Sequence, residues 1–190
     1  MLNPGYLSVE ELLGIGMKKI GNNVLIARDA IFVGVENIEI GSNVRIDSNV
    51  TLAAASGFIR IGSYVHIGGT SHINCTGGVF IGDFVAISQG VKIYSASDDY
   101  TGENMTNPTV PGHLRNDQVA QIKIGSHSIV GSGSVILPGV NLAIGTAIGA
   151  LSLVKTSTEE FTIYAGSPAR KIGERSRNVE KLSAELQIGD

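Results

Sequence analysis

Apolar residues recur along the chain with a long period and a shorter one inside it. An isoleucine followed by glycine stands at Ile20, Ile40, Ile61, Ile81, Ile124 and Ile144, at spacings of 20, 21, 20, 43 and 20 residues. Six positions after these anchors come Ile26, Ile46, Ile67, Ile87 and Val130, and twelve positions after them Phe32, Leu52, Ile73, Ile93 and Ile136. Three apolar anchors per turn, six residues apart, describe a coil with three short flat sides, and alternation sends the intervening residues outward. The fourth residue after each isoleucine is Val24, Val44, Val65, Val85, Ser128 or Ile148, small or β-branched as an inward strand neighbour should be. The glycine after each anchor is expected to take a corner conformation that a Cβ would hinder. Each coil leaves its strand edges unpaired until another stacks on it, so stability accumulates over neighbouring rungs and the ends need caps.

The 43-residue spacing equals one rung plus about 23 extra residues, and the aliphatic pattern is silent between Ile93 and Val119. Residues 94–118 are therefore expected to leave the solenoid as a polar loop, of the kind that usually serves function. At the N-terminus, Ser8-Val9-Glu10-Glu11 is a capping box that predicts a helix over residues 8–18, closing the first rung. At the other end the polar stretch from Ser176 to Gln187, with periodic Val179, Leu182 and Leu186, predicts an amphipathic tail helix. The expected organisation is a helical cap over 1–19, a β-helix over 20–156 and a closing segment with the tail helix over 157–190.

With 190 residues, 43% of them hydrophobic, the chain supports one domain with a single core. Glycine at 25 residues and aromatics at 5% fit tight turns around a slender aliphatic column. The 14 basic and 17 acidic residues give a net charge of −3 with no basic stripe, which argues against nucleic acid as a partner. The single cysteine, Cys75, reads as a small packing residue. Together with an N-terminus that lacks a leader pattern, it leads us to expect a cytoplasmic location. No apolar run has the length needed to span a bilayer.

This pattern resembles the hexapeptide-repeat acyltransferases, whose fold is a left-handed parallel β-helix, usually assembled as a homotrimer. The resemblance implies an all-β protein with a short N-terminal helix, one long loop and a C-terminal hairpin and helix. From Gly149 to Lys155 and again from Ile163 through Ala165-Gly166-Ser167-Pro168-Ala169-Arg170, the chain is similar to the closing segment of acetyl-CoA-dependent members, galactoside and maltose acetyltransferases among them. It departs from them at Leu151, where they show glycine, and at Lys155, where they often show threonine. The resemblance implies acetyl-CoA as co-substrate, with Gly131, Ser132 and Ala150 in stacked turns small enough for a pantetheine arm to lie against the backbone. Arg170, with Lys155 or Lys171, is expected to hold the nucleotide phosphates.

Acyl transfer requires an acceptor held against the thioester carbonyl and, usually, a base. Galactoside and colanic-acid acetyltransferases keep a histidine for this just after the anchor equivalent to Ile93, and here that position is Asp98. Three readings follow. Asp98 is itself the base, with a raised pKa or an already activated acceptor; a histidine elsewhere has taken over; or the acceptor is an amine that needs little help, its hydroxyls bound by Asp98 and Asp99. His72, outward beside Ile73 and one rung before the loop, is the leading histidine. His66 lies outward on another side of the coil, His113 in the loop and His127 at an exposed corner. Asn74 matches an asparagine-bearing segment that binds the acceptor in galactoside and maltose acetyltransferases. Asp99 and Tyr100 suit a polyhydroxylated sugar, one by accepting hydroxyl protons and the other by stacking.

The expected activity is acetyl-CoA-dependent acetylation of a hydroxyl or amino group on a sugar or sugar nucleotide, in polysaccharide or lipopolysaccharide biosynthesis. Direct transfer is favoured because no nucleophile is paired with a base. Two alternatives belong to other classes. One is a metal hydratase like the γ-type carbonic anhydrases, whose His-x4-His pair is not matched by His66 and His72, with five residues between them. The other is a non-catalytic β-helix used for assembly. No metal site is expected.

Overall fold

The computed structural model of the protein describes residues 5–188. Short strands stack into a left-handed parallel β-helix of six coils, whose three faces are three sheets. The first face runs from Lys19–Ile20 through Ile38–Ile40, Ile59–Ile61, Val79–Ile81 and Ile122–Ile124 to Asn141–Leu142. The second runs from Leu25–Ile26 through Arg45–Ile46, His66–Ile67, Ala86–Ile87 and Ile129–Val130 to Ala147–Ile148. The third runs from Ile31–Val33 through Thr51–Ala53, His72–Asn74, Lys92–Tyr94 and Val135–Ile136 to Leu153–Val154.

Inward residues lie over one another from coil to coil. On the second face Ile26, Ile46, Ile67, Ile87, Val130 and Ile148 form one column in register, none more than 3% exposed. Burying each such side chain is worth about 1.5–3 kcal/mol. Each coil also satisfies the backbone of its neighbour, as where Arg45 N donates to Val65 O at 2.9 Å.

Two expectations about the corners are corrected. The glycine after each of the first five anchors is not in a left-handed conformation. It is small because the coils close up there: a Cβ on Gly21 would meet Gly41 backbone atoms at 2.5 Å, and one on Gly41 would meet Gly62. The left-handed residue comes two positions later, at Asn23, Asn43, Tyr64, Phe84 and His127. These side chains compensate by stacking. Asn23 Nδ2 donates to Asn43 Oδ1 at 3.1 Å, Tyr64 lies on Phe84 with centroids 4.9 Å apart, and Phe84 lies on His127 at 5.1 Å. His127 is therefore half-buried rather than open to solvent.

The second correction concerns the last coil. Ile124 pairs with Leu142, not Ile144, so this coil has 18 residues and Ile144-Gly145 only imitates the anchor pair. Gly145, with φ +70°, takes the left-handed corner position of His127, and Thr146 takes the inward place of Val24. Ile148 accordingly belongs to the second-face column. Glycine at 145 lets the Phe161 ring lie where a side chain would be, 2.5 Å from an added Cβ, and Arg177 covers that ring at 4.1 Å.

The ends are closed differently. The capping box forms, Ser8 Oγ accepting from Glu11 N at 3.2 Å while Ser8 N donates to Glu11 Oε2 at 2.7 Å, but the helix it opens, α1 (Val9–Gly14), is shorter than expected. Arg28 on the first coil holds Glu11 through two 2.7 Å bonds, and Leu12 is buried against the core. At the far end the strand Thr162–Ala165 adds to the second face and turns back as Arg170–Glu174. The tail helix α2 (Asn178–Ile188) follows. Arg175 ties this end down by donating to His127 O at 2.6 Å and Gly145 O at 2.9 Å. Among the described residues no helix is long and apolar enough to cross a membrane.

Candidate functional site

The loop leaves the third face after Tyr94 and begins and ends as a hairpin, Ala96–Ser97 pairing antiparallel with Gln118–Val119. Asp99 organises what lies between. Its carboxylate accepts from Thr101 N and Oγ1 at 2.7 and 2.6 Å and from Asn104 N and Nδ2 at 3.1 and 2.8 Å. These bonds, the Thr101 hydroxyl foremost, hold its pKa down at about 2. The buried Asp99 thus works for the loop, with its oxygens already engaged.

Where the hairpin stands over the third face it encloses a cleft of about 760 Å³, lined by Tyr94, Ser97, Asp98, Tyr100, Gln118, Leu137 and Lys155 among others. Three residues singled out in the sequence, Asp98, Tyr100 and Lys155, meet here. Asp98 is exposed, and Asn107 N donates to its Oδ1 at 3.4 Å. Tyr100 is 91% exposed, so its ring is free to lie on a ligand. Gln118, Leu137 and Pro138 also line the cleft. They were missed because only the return of the loop and the next coil bring them to Asp98.

His72 and Asn74 sit one coil earlier on the same face, in register with Lys92 and Tyr94. They lie beside the cleft and do not line it. The His72 ring is 5.8 Å from that of Tyr94. Burial, with the Lys92 charge second, pushes its pKa below the usual histidine value, so it is neutral at neutral pH. Asn74 Oδ1 accepts from Thr76 N at 3.0 Å, an Asx turn that fixes the bend after the strand. The other histidines are scattered: His66 bonds Asp47 on the second face, His113 is exposed in the loop and His127 stacks in the aromatic corner. Among the described residues no three histidine, cysteine or carboxylate side chains gather where a metal could be held. Cys75 is fully buried, and burial pushes its thiol up to about 12.

Gly131, Ser132 and Ala150 lie on the edge where the second face turns into the third. A Cβ on Gly131 would meet Ala150 N at 2.5 Å, so the corner is as shallow as a backbone can make it. Leu151, 77% exposed, folds its side chain over Gly133. Arg170 is exposed at the start of its strand, with Nη1 donating to Ala169 O at 3.1 Å. Lys171 is committed to Glu159 at 2.7 Å and Glu174 at 2.9 Å. Within one chain this corner and the Asp98 cleft lie at opposite ends of the third-face strands, the corner where they begin and the cleft where they end.

No protein-family model matches the chain. It is 44% identical over 188 residues to the dTDP-4-amino-4,6-dideoxy-D-glucose acyltransferase of Escherichia coli, covering 97% of this chain and 98% of that one. The fold matches that of AntD, an N-acyltransferase from Bacillus cereus solved with dTDP and 3-hydroxybutyryl-CoA, with a TM-score of 0.94 and 37% identity over 99% of this chain and 98% of that one. AntD variants at one serine and at an aspartate ten residues further on have been solved with dTDP and coenzyme A. A maltose O-acetyltransferase from Clostridium difficile 630, at 20% identity over 88% of this chain and 75% of its own with a TM-score of 0.56, shares the fold.

Proposed function

The protein belongs to the hexapeptide-repeat acyltransferases, as an acyl-CoA-dependent enzyme acting on a sugar nucleotide, and from that premise we propose that it N-acetylates a dTDP-linked 4-amino-4,6-dideoxy sugar in the making of a bacterial surface polysaccharide. One observation carries the reading. The chain matches, along nearly its whole length, an acyltransferase named for an amino sugar nucleotide, and Asp98 stands where the resemblance to galactoside and colanic-acid O-acetyltransferases implies a histidine.

The two facts fit chemically. A hydroxyl is a poor nucleophile until a base removes its proton, and imidazole suits that task. A free amine attacks a thioester carbonyl unaided and needs only somewhere for its proton to go. The nitrogen forms a bond to the carbonyl carbon, the carbon–sulfur bond breaks, and one proton passes from nitrogen to the departing thiolate, with Asp98 as the relay. No acyl-enzyme is required, and Cys75, buried with a thiol pKa of about 12, is unsuited to forming one. Ser88 and Asp98 keep the ten-residue spacing of the altered serine and aspartate in AntD.

The donor lies along the Gly131, Ser132 and Ala150 corner, with Arg170 as the available cation for its phosphates and Lys155 standing at the other end of the strands, in the Asp98 cleft. Asp98 and Tyr100 stand a strand's length away, so a complete site takes its corner from one subunit and its loop from the next, as a homotrimer provides. The test is thiol release from acetyl-CoA with dTDP-4-amino-4,6-dideoxyglucose and with its 4-hydroxy counterpart. Turnover with the amine alone is expected. Transfer to the hydroxyl sugar, or to neither, overturns the reading.

A further inference from the structure

We propose that the first face carries a binding site for a phosphate ester with a flat or apolar ring, in the groove formed by Arg60, Phe80, Gln121, Lys123 and Asn141. The groove, of about 640 Å³, runs along that face from the third coil to the sixth. None of its residues lines the Asp98 cleft, and none belongs to the corner of Gly131, Ser132 and Ala150. The registers Glu39 to Arg60 to Phe80 to Lys123 to Asn141 put these outward side chains in one column. At about 4.8 Å per coil, Arg60 and Lys123 stand roughly 10 Å apart with the Phe80 ring between them. The backbone of Gly62, Gly82 and Gly125 forms the edge of the groove, where the coils close up and leave no room for a side chain.

The chain as a whole is acidic, at −3, but this column is not. Its one carboxylate, Glu39, stands at the N-terminal side of the groove and is engaged by Lys18 at 2.8 Å and by Arg60 Nε at 3.3 Å. That contact leaves both terminal nitrogens of Arg60 without a partner among the described residues, and the Lys123 ammonium has none among them either. Rings hold the guanidinium instead. It lies 5.0 Å from the Phe58 centroid and 5.4 Å from that of Phe80, and the two rings meet edge to face at 5.0 Å. Stacking orients the planar fork while its terminal N–H groups stay free for an oxyanion, the geometry by which arginine takes phosphate. Lys123 supplies the second charge on the far side of Phe80. Exposed amides beside it, Gln121 and Asn141, offer donors and acceptors for ring substituents. A bare anion uses the two charges and not the ring between them. A nucleotide and a sugar phosphate use both, and they share this chemistry.

Calorimetric titration of inorganic phosphate, phenyl phosphate and glucose 1-phosphate into wild type, Arg60→Met, Lys123→Met and Arg170→Met tests the assignment. Wild type is expected to bind one of the two esters at one per chain and at least about tenfold more tightly than inorganic phosphate. Preference for phenyl phosphate identifies a nucleotide-like ring, and preference for glucose 1-phosphate a sugar. Arg60→Met and Lys123→Met are each expected to weaken the ester by about tenfold or more, and Arg170→Met to bind it as wild type does. Lys123→Met is expected to keep the wild-type Tm, kcat and acetyl-CoA KM, since its ammonium supports nothing in the fold. Three results overturn the inference: esters that bind no better than inorganic phosphate, a loss confined to Arg170→Met, or a raised acetyl-CoA KM in Lys123→Met. The last would make the groove part of a donor site. None of the three touches the proposed acceptor, which is read from the amine and hydroxyl sugars alone.

Discussion

Asp98 is open to solvent at the mouth of its cleft, where Asn107 N makes a long contact to its carboxylate, so the side chain is free to face a bound amine. His72, the other base candidate, is held neutral but aimed at Tyr94. Asp98→Asn is expected to lower kcat by about 10²–10⁴-fold with little change in the acetyl-CoA KM, and His72→Gln to leave kcat within a few-fold. Equal losses in the two variants would contradict this assignment. His72 has a separate signature in stability. Its folded pKa lies below the ordinary 6.5, so between the two values the unfolded chain binds a proton that the folded chain refuses. Stability is expected to fall as pH drops through that window, and His72→Gln to flatten the dependence in urea unfolding at pH 7.5 and 5. Asp99 has the same direction of shift at lower pH. Its contribution is complete above the ordinary 3.8 and is lost as pH falls through about 2, so the loop is expected to stay ordered until strongly acid conditions.

The coil is the element whose rules the sequence displays openly. Each short strand must turn at least one side chain into the narrow interior, almost always an aliphatic one, and this constraint prints the six-residue spacing onto the chain. Corner geometry is less legible. Two different demands, close stacking and a left-handed backbone, can both be met by glycine, and Ile144-Gly145 satisfies the look of one while serving the other. The site is least legible of all. Gln118 and Leu137 reach Asp98 only through the return of the loop or the stacking of coils, and no period marks them. Gly145 offers a test of the corrected last coil. Alanine there meets both a positive φ and the Phe161 ring, and is expected to cost about 2 kcal/mol or more and to lower the Tm. Gly14, at the end of α1 with nothing within 4 Å of an added Cβ, is expected to accept alanine without loss. If the two substitutions had equal effects on thermal unfolding, the 18-residue register would be wrong.

At the scale of the whole molecule, a single chain separates the small-residue corner from the loop by the width of its third face. An S-to-N acyl transfer needs its reacting atoms within van der Waals contact, and on the proposed reading the corner of one chain and the loop of its neighbour bring them together. The arrangement is open to complementation. Asp98→Asn removes the loop's carboxylate and keeps the corner, whereas Ala150→Trp blocks the corner and keeps the loop. Each homo-oligomer is expected to be nearly inactive. In equal mixtures co-refolded or co-expressed, a working site forms wherever an Asp98→Asn chain supplies the corner to an Ala150→Trp chain's loop. Random assembly in a ring puts that combination at about one interface in four. Recovery of about a quarter of wild-type kcat is the expected result, with trimer mass in solution as the companion measurement. If corner and loop served the same ligand within one chain, every site in the mixture would carry a lesion and activity would stay at the level of the separate variants.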